Sequence, residues 1–172
     1  KKASLAVEGR DVLIDKMIVQ NLVDPMTHIV NNAMYHGIET EPERIKLGKP
    51  PEGKITISAI LQGNQTVIMI SDDGAGINAE KVKRKAIEKG LTTEAELRHL
   101  SDPEIYEFLF HPGLTTNEKA DQFAGRGVGM DVVKTNINLL RGTISIESKI
   151  GEGTKFTLRL PQSLSICKAL TC

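Results

Sequence analysis

The chain has 172 residues, with 22 Lys and Arg against 22 Asp and Glu, so its formal net charge is 0. This length suits a single domain with its own core. The balanced charge argues against a protein that coats nucleic acid or a membrane surface, because either role needs a basic patch. The apolar runs fall short of the roughly 20 residues that span a bilayer. We therefore expect no nucleic-acid partner and no direct membrane insertion.

The two ends of the chain carry few chemical signals. Residues 1–4 include no initiator Met and begin no apolar signal segment, so we expect an excised fragment of a longer protein. Cys167 and Cys172 have no CxxC spacing and no neighbouring His. This pattern favours reduced thiols in a cytoplasmic protein over a zinc site or a disulfide framework.

Changes in the period of the apolar residues predict the elements of the first part of the chain. Alternation at residues 5–7 predicts a short strand, and residues 15–37 have helical periodicity. Asp24-Pro25 is typical of an N-cap and first helical position, so a new helix is predicted to begin there and to end at Gly37. Residues 39–53, which are polar and contain Pro and Gly, are predicted to form a loop.

The rest of the chain alternates between strand and helix patterns. The predicted elements, in order, are a hairpin at 55–70, a charged helix at 80–89, helical structure at 93–110 restarting at Asp102-Pro103, an irregular segment at 111–127, a helix at 128–140 and a second hairpin at 144–160. Strands with one apolar face, together with amphipathic helices, predict an α/β (α+β) two-layer sandwich. Helices would cover one face of the sheet, and the other face would meet solvent or another domain.

The helix that ends at Gly37 carries a group of polar side chains. His28, Asn32 and His36 are spaced four residues apart, so they stack on one side of a regular helix. Such a group is suited to a metal–phosphate unit, and a solvated polar face is the alternative.

Glycine-rich segments mark further candidate sites. In Asp72–Gly76, glycines beside a carboxylate allow a flat ligand to approach the backbone, while the carboxylate accepts a hydrogen bond from an exocyclic amine. A capped turn is the structural alternative. Gly125, Gly127 and Gly129 precede a predicted helix, where exposed N–H groups favour an anion. Residues 151–154 are typical of a tight turn.

These segments occur in a fixed order that resembles the GHKL superfamily of ATP-binding domains. The resemblance is closer to the kinase domain of CheA-type chemotaxis histidine kinases and covers nearly the whole chain. It is carried by the N-box stretch and by the segments that follow it, at 24–39, 72–77, 110–116, 125–134 and 151–161. It implies a Bergerat-type fold with a mixed, largely antiparallel sheet. It also implies a kinase domain at 1–163, and the start of a regulatory domain that docks to the coupling protein at 164–172.

The resemblance also implies roles for single residues. At the phosphate end, Asn32 matches the asparagine that ligates Mg²⁺, with His28 beside it as a second candidate metal and catalytic residue. At the base end, Asp72 matches the carboxylate that binds the adenine amino group, assisted by Gly76 and Thr154. The remaining matches are lid glycines and residues near the nucleotide: Gly125, Gly127, Gly129, His36, Lys81 and Lys85. For the two lysines, a solvated helix face is the alternative.

Two departures from the family pattern bear on how tightly ATP is held. Asn31 stands where the family usually has Arg, and Tyr35 replaces a common Asp. At the N-box position where the ATPase branch carries a Glu to activate water, this chain has His28. A neutral imidazole already has a lone pair, so a histidine acceptor needs little base catalysis. The pattern therefore favours phosphoryl transfer to histidine, as in a protein histidine kinase, over hydrolysis.

Two other functions remain as alternatives. One is a nucleotide-binding regulatory module of the same superfamily with little or no kinase activity, and the other is an ATPase clamp. None of the four histidines precedes an acidic residue, as an acceptor histidine typically does. We therefore expect the acceptor on a separate phosphotransfer domain. The resemblance further implies a coupling protein and chemoreceptors reached through neighbouring domains, a response regulator downstream, and a cytoplasmic location.

Overall fold

The computed structural model describes residues 3–8, 16–112, 114 and 130–161, with side chains from residue 20 onward in the first helix. Its elements, in chain order, are β1 (Ala3–Glu8), α1 (Lys16–Asn32) with a π-helical turn (Ala33–Gly37), α2 (Glu41–Lys46), β2 (Gly53–Gln62), β3 (Gln65–Asp72), α3 (Ala79–Glu88), α4 (Glu94–Leu97), α5 (Asp102–Tyr106) with a 3₁₀ turn (Glu107–Phe110), α6 (Met130–Leu139), β4 (Thr143–Lys149) and β5 (Gly153–Pro161). The predicted irregular segment lies mostly outside the described residues, as do the two cysteines and the predicted second domain.

The described strands form one sheet in the order β1–β2–β3–β5–β4. β1 runs parallel to β2, whereas β2–β3, β3–β5 and β4–β5 are antiparallel. Gly63, with φ of 61°, lies in the short connection between β2 and β3, where a positive φ suits glycine. The predicted mixed, largely antiparallel sheet and both predicted hairpins are confirmed.

Strand alternation gives the sheet one apolar face and one polar face. The apolar face packs against α1 and α6 in a core that includes Ile29, Ile70, Ile137 and Leu158. Residues such as Ser145 and Glu147 occupy the other face, which we call the open face. The predicted two-layer arrangement, with helices over one side of the sheet, is confirmed. A smaller apolar cluster joins α3 to α5.

The prediction that a new helix begins at Pro25 is wrong, because α1 continues through this residue. An interior proline costs about 3 kcal/mol through its missing N–H and its ring. Leu22 and Ile29, on either side of Pro25, are both buried, and burial of such a side chain stabilises by about 1.5–3 kcal/mol. The continuous apolar face therefore offsets the cost of the proline.

The predicted loop at 39–53 contains a helix that the sequence reading missed. In α2, the N–H of Thr40 donates to Glu43 Oε2 at 3.0 Å, as in a capping box, and Pro42 lies in the first turn. The T-x-x-E spacing is the signal that predicts this helix start.

No helix in the described part of the chain is long and apolar enough to cross a membrane.

The helix predicted at 93–110 is divided into shorter pieces. α4 ends at Leu97, and α5 begins after Ser101, whose Oγ hydrogen-bonds Glu104 at 2.9 Å. The cap therefore lies one residue before the predicted restart. α6 is described from Met130, so the predicted start of that helix at residue 128 lies outside the described residues.

Replacement of Leu158 by Ala is expected to reduce the free energy of unfolding by about 2–5 kcal/mol, because it leaves a cavity in the core. Leu158 is 0% exposed and Leu139 is 76% exposed, so Leu139→Ala is a matched control with little expected effect. Urea unfolding followed by circular dichroism measures both. Equal losses in the two variants would contradict the described packing.

Candidate functional site

Neighbouring strands place polar side chains in one row at the end of the sheet. The register of β3 with β5 and of β4 with β5 sets Asp72, Thr154 and Ser148 side by side. Alternation puts them on the same face as Ile70 and Phe156, which is the face that the helices cover. The row therefore lies where the core ends, between the sheet and the helical layer.

Asp72 is held in a defined orientation by backbone hydrogen bonds. Its Oδ1 accepts the N–H of Gly74 at 2.9 Å, and the N–H of Thr154 also donates to the carboxylate. Burial raises the pKa of Asp72 above its usual value; these hydrogen bonds act downward, and the charges of Asp73 and Glu39 act upward. A carboxylate has about four acceptor positions, so Asp72 keeps the capacity to accept a donor from a ligand.

The backbone around Asp72 approaches other segments more closely than a side chain would allow. A Cβ on Gly74 would overlap the carbonyl oxygen of Gly37, and a Cβ on Gly76 would overlap that of Lys149. Gly76 also has a φ of 79°, which other residues rarely adopt. Gly76, predicted as a site residue, is therefore required by the backbone geometry.

Hydrogen bonds tie the loop at 72–76 to both neighbouring segments. The N–H of Ala75 donates to the carbonyl of Gly37 at 2.8 Å, and the N–H of Gly151 donates to the carbonyl of Ala75 at 2.8 Å. Gly37 ends the π-helical turn after α1, and Gly151 lies in the turn between β4 and β5. These contacts bring together the end of α1, the loop at 72–76, which we call the carboxylate loop, and the β4–β5 hairpin.

A buried arginine lies directly behind this loop. The side chain of Arg44 is 0% exposed. Its Nη1 donates to Glu39 Oε1 at 3.0 Å, its Nη2 to Asp73 Oδ2 at 3.0 Å, and its Nε to the carbonyl of Pro50 at 2.7 Å. Arg44 thus joins α2 to the residue that follows Asp72.

Lys49 completes the group that we call the ion cluster, which consists of Glu39, Arg44, Lys49 and Asp73. Lys49 Nζ donates to Glu39 Oε2 at 2.6 Å and to the carbonyls of Asp73 at 3.1 Å and Gly74 at 3.0 Å. Burial acts to raise the pKa of Glu39, but the hydrogen bond and charge of Lys49 and the charge of Arg44 outweigh it, so this pKa lies below its usual value. The sequence reading missed the cluster, because nothing in the spacing of its members pairs them.

The polar residues of α1 do not share one environment. His28 is buried, Asn32 is partly buried, and His36 is exposed. Asn32 Nδ2 donates to Met130 Sδ on α6 at 3.0 Å. The π-helical turn that contains His36 is wider than an α-helical turn, so the regular stacking expected for His36 does not carry through it.

The remaining predicted residues are less closely tied to Asp72. Lys81 and Lys85 lie one turn apart on α3, both exposed, after an Asn78 cap that accepts the N–H of Glu80 at 3.0 Å. This placement leaves the solvated-face alternative open for the lysines. Gly125, Gly127 and Gly129 lie outside the described residues.

Ser148 is a site residue that sequence reasoning missed. Its Oγ accepts the N–H of Ile77 at 2.7 Å, donates to the carbonyl of Gly153 at 3.0 Å and lies 3.0 Å from Thr154 Oγ1. Ser148 therefore fixes the last hairpin against the segment that follows Gly76. A serine in an alternating strand gives no sequence signal for this contact.

A depression of about 300 Å³ lies near this end of the sheet. Its lining includes Asp72, Ser148 and Thr154 of the row. It also includes Ser71, Glu147 and Lys155, which alternation places on the open face. The depression therefore borders the row that contains Asp72 at the end of the sheet. In the described part of the chain, no three His, Cys, Asp or Glu side chains are grouped to hold a metal ion.

Replacement of Gly76 by Ala is expected to cost more stability than replacement of Gly48. Both glycines have similar φ, 79° and 77°, so both variants carry the left-handed strain of about 1–2 kcal/mol. At Gly48 a Cβ meets open space, whereas at Gly76 it overlaps Lys149, which adds about 1–3 kcal/mol. Urea unfolding measures the difference; equal costs would contradict the close approach.

Comparison with known proteins identifies the family. Residues 21–164 match the family of histidine kinase-, DNA gyrase B- and HSP90-like ATPases. The chain is 46% identical to the sensor histidine kinase CheAY of Helicobacter pylori and 40% identical to the chemotaxis protein CheA of Bacillus subtilis. Each comparison extends over 170 residues, which are 99% of this chain. The matched regions are 21% and 25% of those proteins, so the chain spans about a fifth to a quarter of their length.

A solved structure supports the fold. The histidine kinase domain of the blue-light activated kinase of Erythrobacter litoralis aligns with a TM-score of 0.53 over 98% of this chain and 58% of that chain, at 14% identity. The low identity limits this likeness to the fold, which is the Bergerat-type arrangement expected from the sequence. The chain belongs to the histidine kinase-, DNA gyrase B- and HSP90-like ATPase family and, within it, is an ATP-binding domain of the CheA type.

Proposed function

We propose that this domain binds Mg-ATP and transfers the γ-phosphoryl group to a histidine on a separate phosphotransfer domain. The observation that carries the proposal is the half-buried carboxylate of Asp72, oriented by backbone N–H groups at the end of a central strand. An oriented acceptor beside closely packed backbone suits the exocyclic amine of a flat base. Family membership supports adenine as that base.

At the base end, Asp72 accepts a hydrogen bond from the adenine amine, and Gly76 and Thr154 line the approach to it. At the phosphate end, we place Asn32 and His28 of α1. His36, Lys81 and Lys85 would lie nearer the rim of the site, because their side chains are exposed. Gly125, Gly127 and Gly129 are proposed to contact the phosphates through their N–H groups.

Of the predicted metal-binding side chains of α1, one offers an oxygen atom that can bind Mg²⁺. Mg²⁺ prefers oxygen ligands and is commonly held by one or two protein groups together with substrate phosphates. Because the amide nitrogen of Asn32 faces Met130 Sδ, its Oδ1 is available as an oxygen ligand. The imidazole of His28 offers nitrogen instead, so we place it beside the metal–phosphate unit. When bound, Mg²⁺ would neutralise charge that develops on the phosphate oxygens.

The residue at the first N-box position favours transfer over hydrolysis. His28 is buried there, where the ATPase branch carries a Glu that activates water. In the proposed transfer, a lone pair of the acceptor imidazole forms the new bond to phosphorus, and ADP leaves with the electrons of the broken bond. The protein then contributes chiefly by orienting the reactants and neutralising charge.

We further propose that this reaction is part of chemotaxis signalling. Relatives named as chemotaxis proteins and a sensor histidine kinase support a role in chemotaxis signalling. There the domain would act in the cytoplasm with a phosphotransfer domain of the same or a partner chain. Coupling protein and chemoreceptors would be reached through neighbouring domains, and a response regulator would act downstream.

Calorimetry with ATP tests the proposed residues at the two ends of the site. Asp72→Asn is expected to weaken ATP binding by tenfold or more with or without Mg²⁺, since it removes a charged acceptor worth about 1.5–3 kcal/mol. Asn32→Ala is expected to remove the gain in affinity that Mg²⁺ provides. The exposed residues Asp24 and Asn138 supply matched controls, Asp24→Asn and Asn138→Ala, with unchanged affinity.

The same variants test the reaction when a phosphotransfer domain is supplied. Both site variants are expected to abolish transfer, and the controls to retain it. ATP binding by the wild-type chain without transfer would favour the regulatory module, and phosphate release without an acceptor would favour the ATPase clamp. Retained transfer in both site variants would contradict the assigned roles.

The affinity for ATP is expected to fall as the pH is lowered through the raised pKa of Asp72. The ionised carboxylate accepts the adenine N–H, whereas the protonated form loses that acceptor strength. ATP phosphates titrate too, so the test is the ratio of the Asp72→Asn dissociation constant to the wild-type dissociation constant across the pH range. A ratio that shrinks at low pH is expected, and a constant ratio would contradict the role of the ionised form.

A further inference from the structure

The ion cluster contacts the carboxylate loop through many of its polar atoms. Arg44 bonds both the side chain and the carbonyl of Asp73, and Lys49 bonds the carbonyls of Asp73 and Gly74. From the other side, Asp73 Oδ1 accepts the N–H of Lys54 at 2.8 Å. The residue after Asp72 is thus fixed through its side chain and its carbonyl.

The ion cluster is connected to Asp72 through Gly74. The N–H of Gly74 is the group that donates to Asp72 Oδ1, and the carbonyl of the same residue accepts from Lys49. A shift of the loop at 73–74 therefore moves a donor that orients the carboxylate. The cluster and Asp72 are linked by a single residue, with no flexible side chain between them.

Stability alone gives a weak reason for such a cluster. Removing charged groups from water costs several kcal/mol each, and apolar replacements of buried ion pairs are often neutral or stabilising. The cluster holds two carboxylates and two cations, of which Arg44 is 0% exposed and Glu39 8% exposed. What the charges supply, and apolar side chains would not, is directional bonding to the carbonyls of the loop.

We propose that the ion cluster sets the position of Asp72 so that the site selects a 6-amino purine over a 6-oxo purine, with Lys49 and Arg44 as positioning residues. This inference rests on the proposed function and adds to it the basis of base selection. A 6-amino group donates to a correctly placed carboxylate, whereas a 6-oxo group sets an acceptor against it. The discrimination requires the carboxylate to stay in place.

The charges of the ion cluster also favour a 6-amino purine, because they affect the protonation of Asp72. Glu39 and Asp73 raise the pKa of Asp72. Arg44 pairs with both of these carboxylates, and Lys49 pairs with that of Glu39. Loss of Lys49 leaves one negative charge uncompensated beside Asp72. That favours the protonated form, which can donate to a 6-oxo group and so reduces the preference further.

The test compares ATP with inosine triphosphate, the 6-oxo analogue, by calorimetry. The wild-type chain is expected to prefer ATP. In Lys49→Met, the ATP-to-inosine-triphosphate preference is expected to fall about tenfold, the value of one hydrogen bond of about 1.4 kcal/mol, while the gain in affinity from Mg²⁺ is unchanged. Lys49→Arg is expected to retain the preference, and Lys46→Met, an exposed lysine on α2, is the matched control.

A double-mutant cycle separates positioning from general loosening. In the Asp72→Asn background, Lys49→Met is expected to leave the preference unchanged, because the residue it acts through is already altered. If Lys49→Met does not fold, Asp73→Asn replaces it, since that side chain is 42% exposed and keeps its shape. It is expected to reduce the preference by less than Lys49→Met does, because the weakened Arg44 bond to the loop is partly offset by removal of a charge that raises the pKa of Asp72.

The outcomes distinguish this inference from the proposed function. A folded Lys49→Met or Asp73→Asn variant with the full wild-type preference overturns the inference and leaves ATP binding intact. An equal loss of preference in the Asp72→Asn background also overturns it. Failure of the wild-type chain to bind ATP refutes the proposed function, and the inference with it.

Discussion

The candidate site depends on how closely three backbone segments approach one another. The loop at 72–76 lies between the π-helical turn that ends at Gly37 and the β4–β5 turn, and its glycines leave no room there for a Cβ. Hydrogen bonds at Ala75 join it to both sides. Because the contacts are between backbones, the relative positions of α1, β3 and the last hairpin are fixed with little dependence on side-chain rotamers.

Two different kinds of polar group surround this contact. On one side, the ion cluster pairs its carboxylates with cations, so its charges are balanced and its hydrogen bonds fix the loop. On the other side, Asp72 is bound by backbone N–H groups, which orient it without neutralising its charge. The same few residues thus combine a fixed support with a carboxylate that keeps acceptor capacity, as recognition of a base amine requires.

The parts of the site that were predictable from sequence are those with local signals. Asp72 ends a strand and begins the D-x-G-x-G pattern that contains Gly76, and the alternating strands predict the sheet. The continuity of α1 through Pro25 depends on burial against distant strands, and the π-helical turn has no propensity signal. The pattern around Arg44 predicts a loop, and its ion-pair partners Glu39 and Asp73 are set by the tertiary fold rather than by local spacing. Local patterns therefore predict Asp72 and Gly76 of the candidate site, whereas the residues that support them are determined by tertiary packing.

The most direct test of the central claim is a crystal structure of the chain with Mg²⁺ and a non-hydrolysable ATP analogue. The account predicts the adenine amine within hydrogen-bonding distance of an Asp72 carboxylate oxygen and the metal bound to Asn32 Oδ1, between the sheet and α1. A nucleotide whose base does not contact Asp72, or one bound wholly on the open face of the sheet, would contradict it.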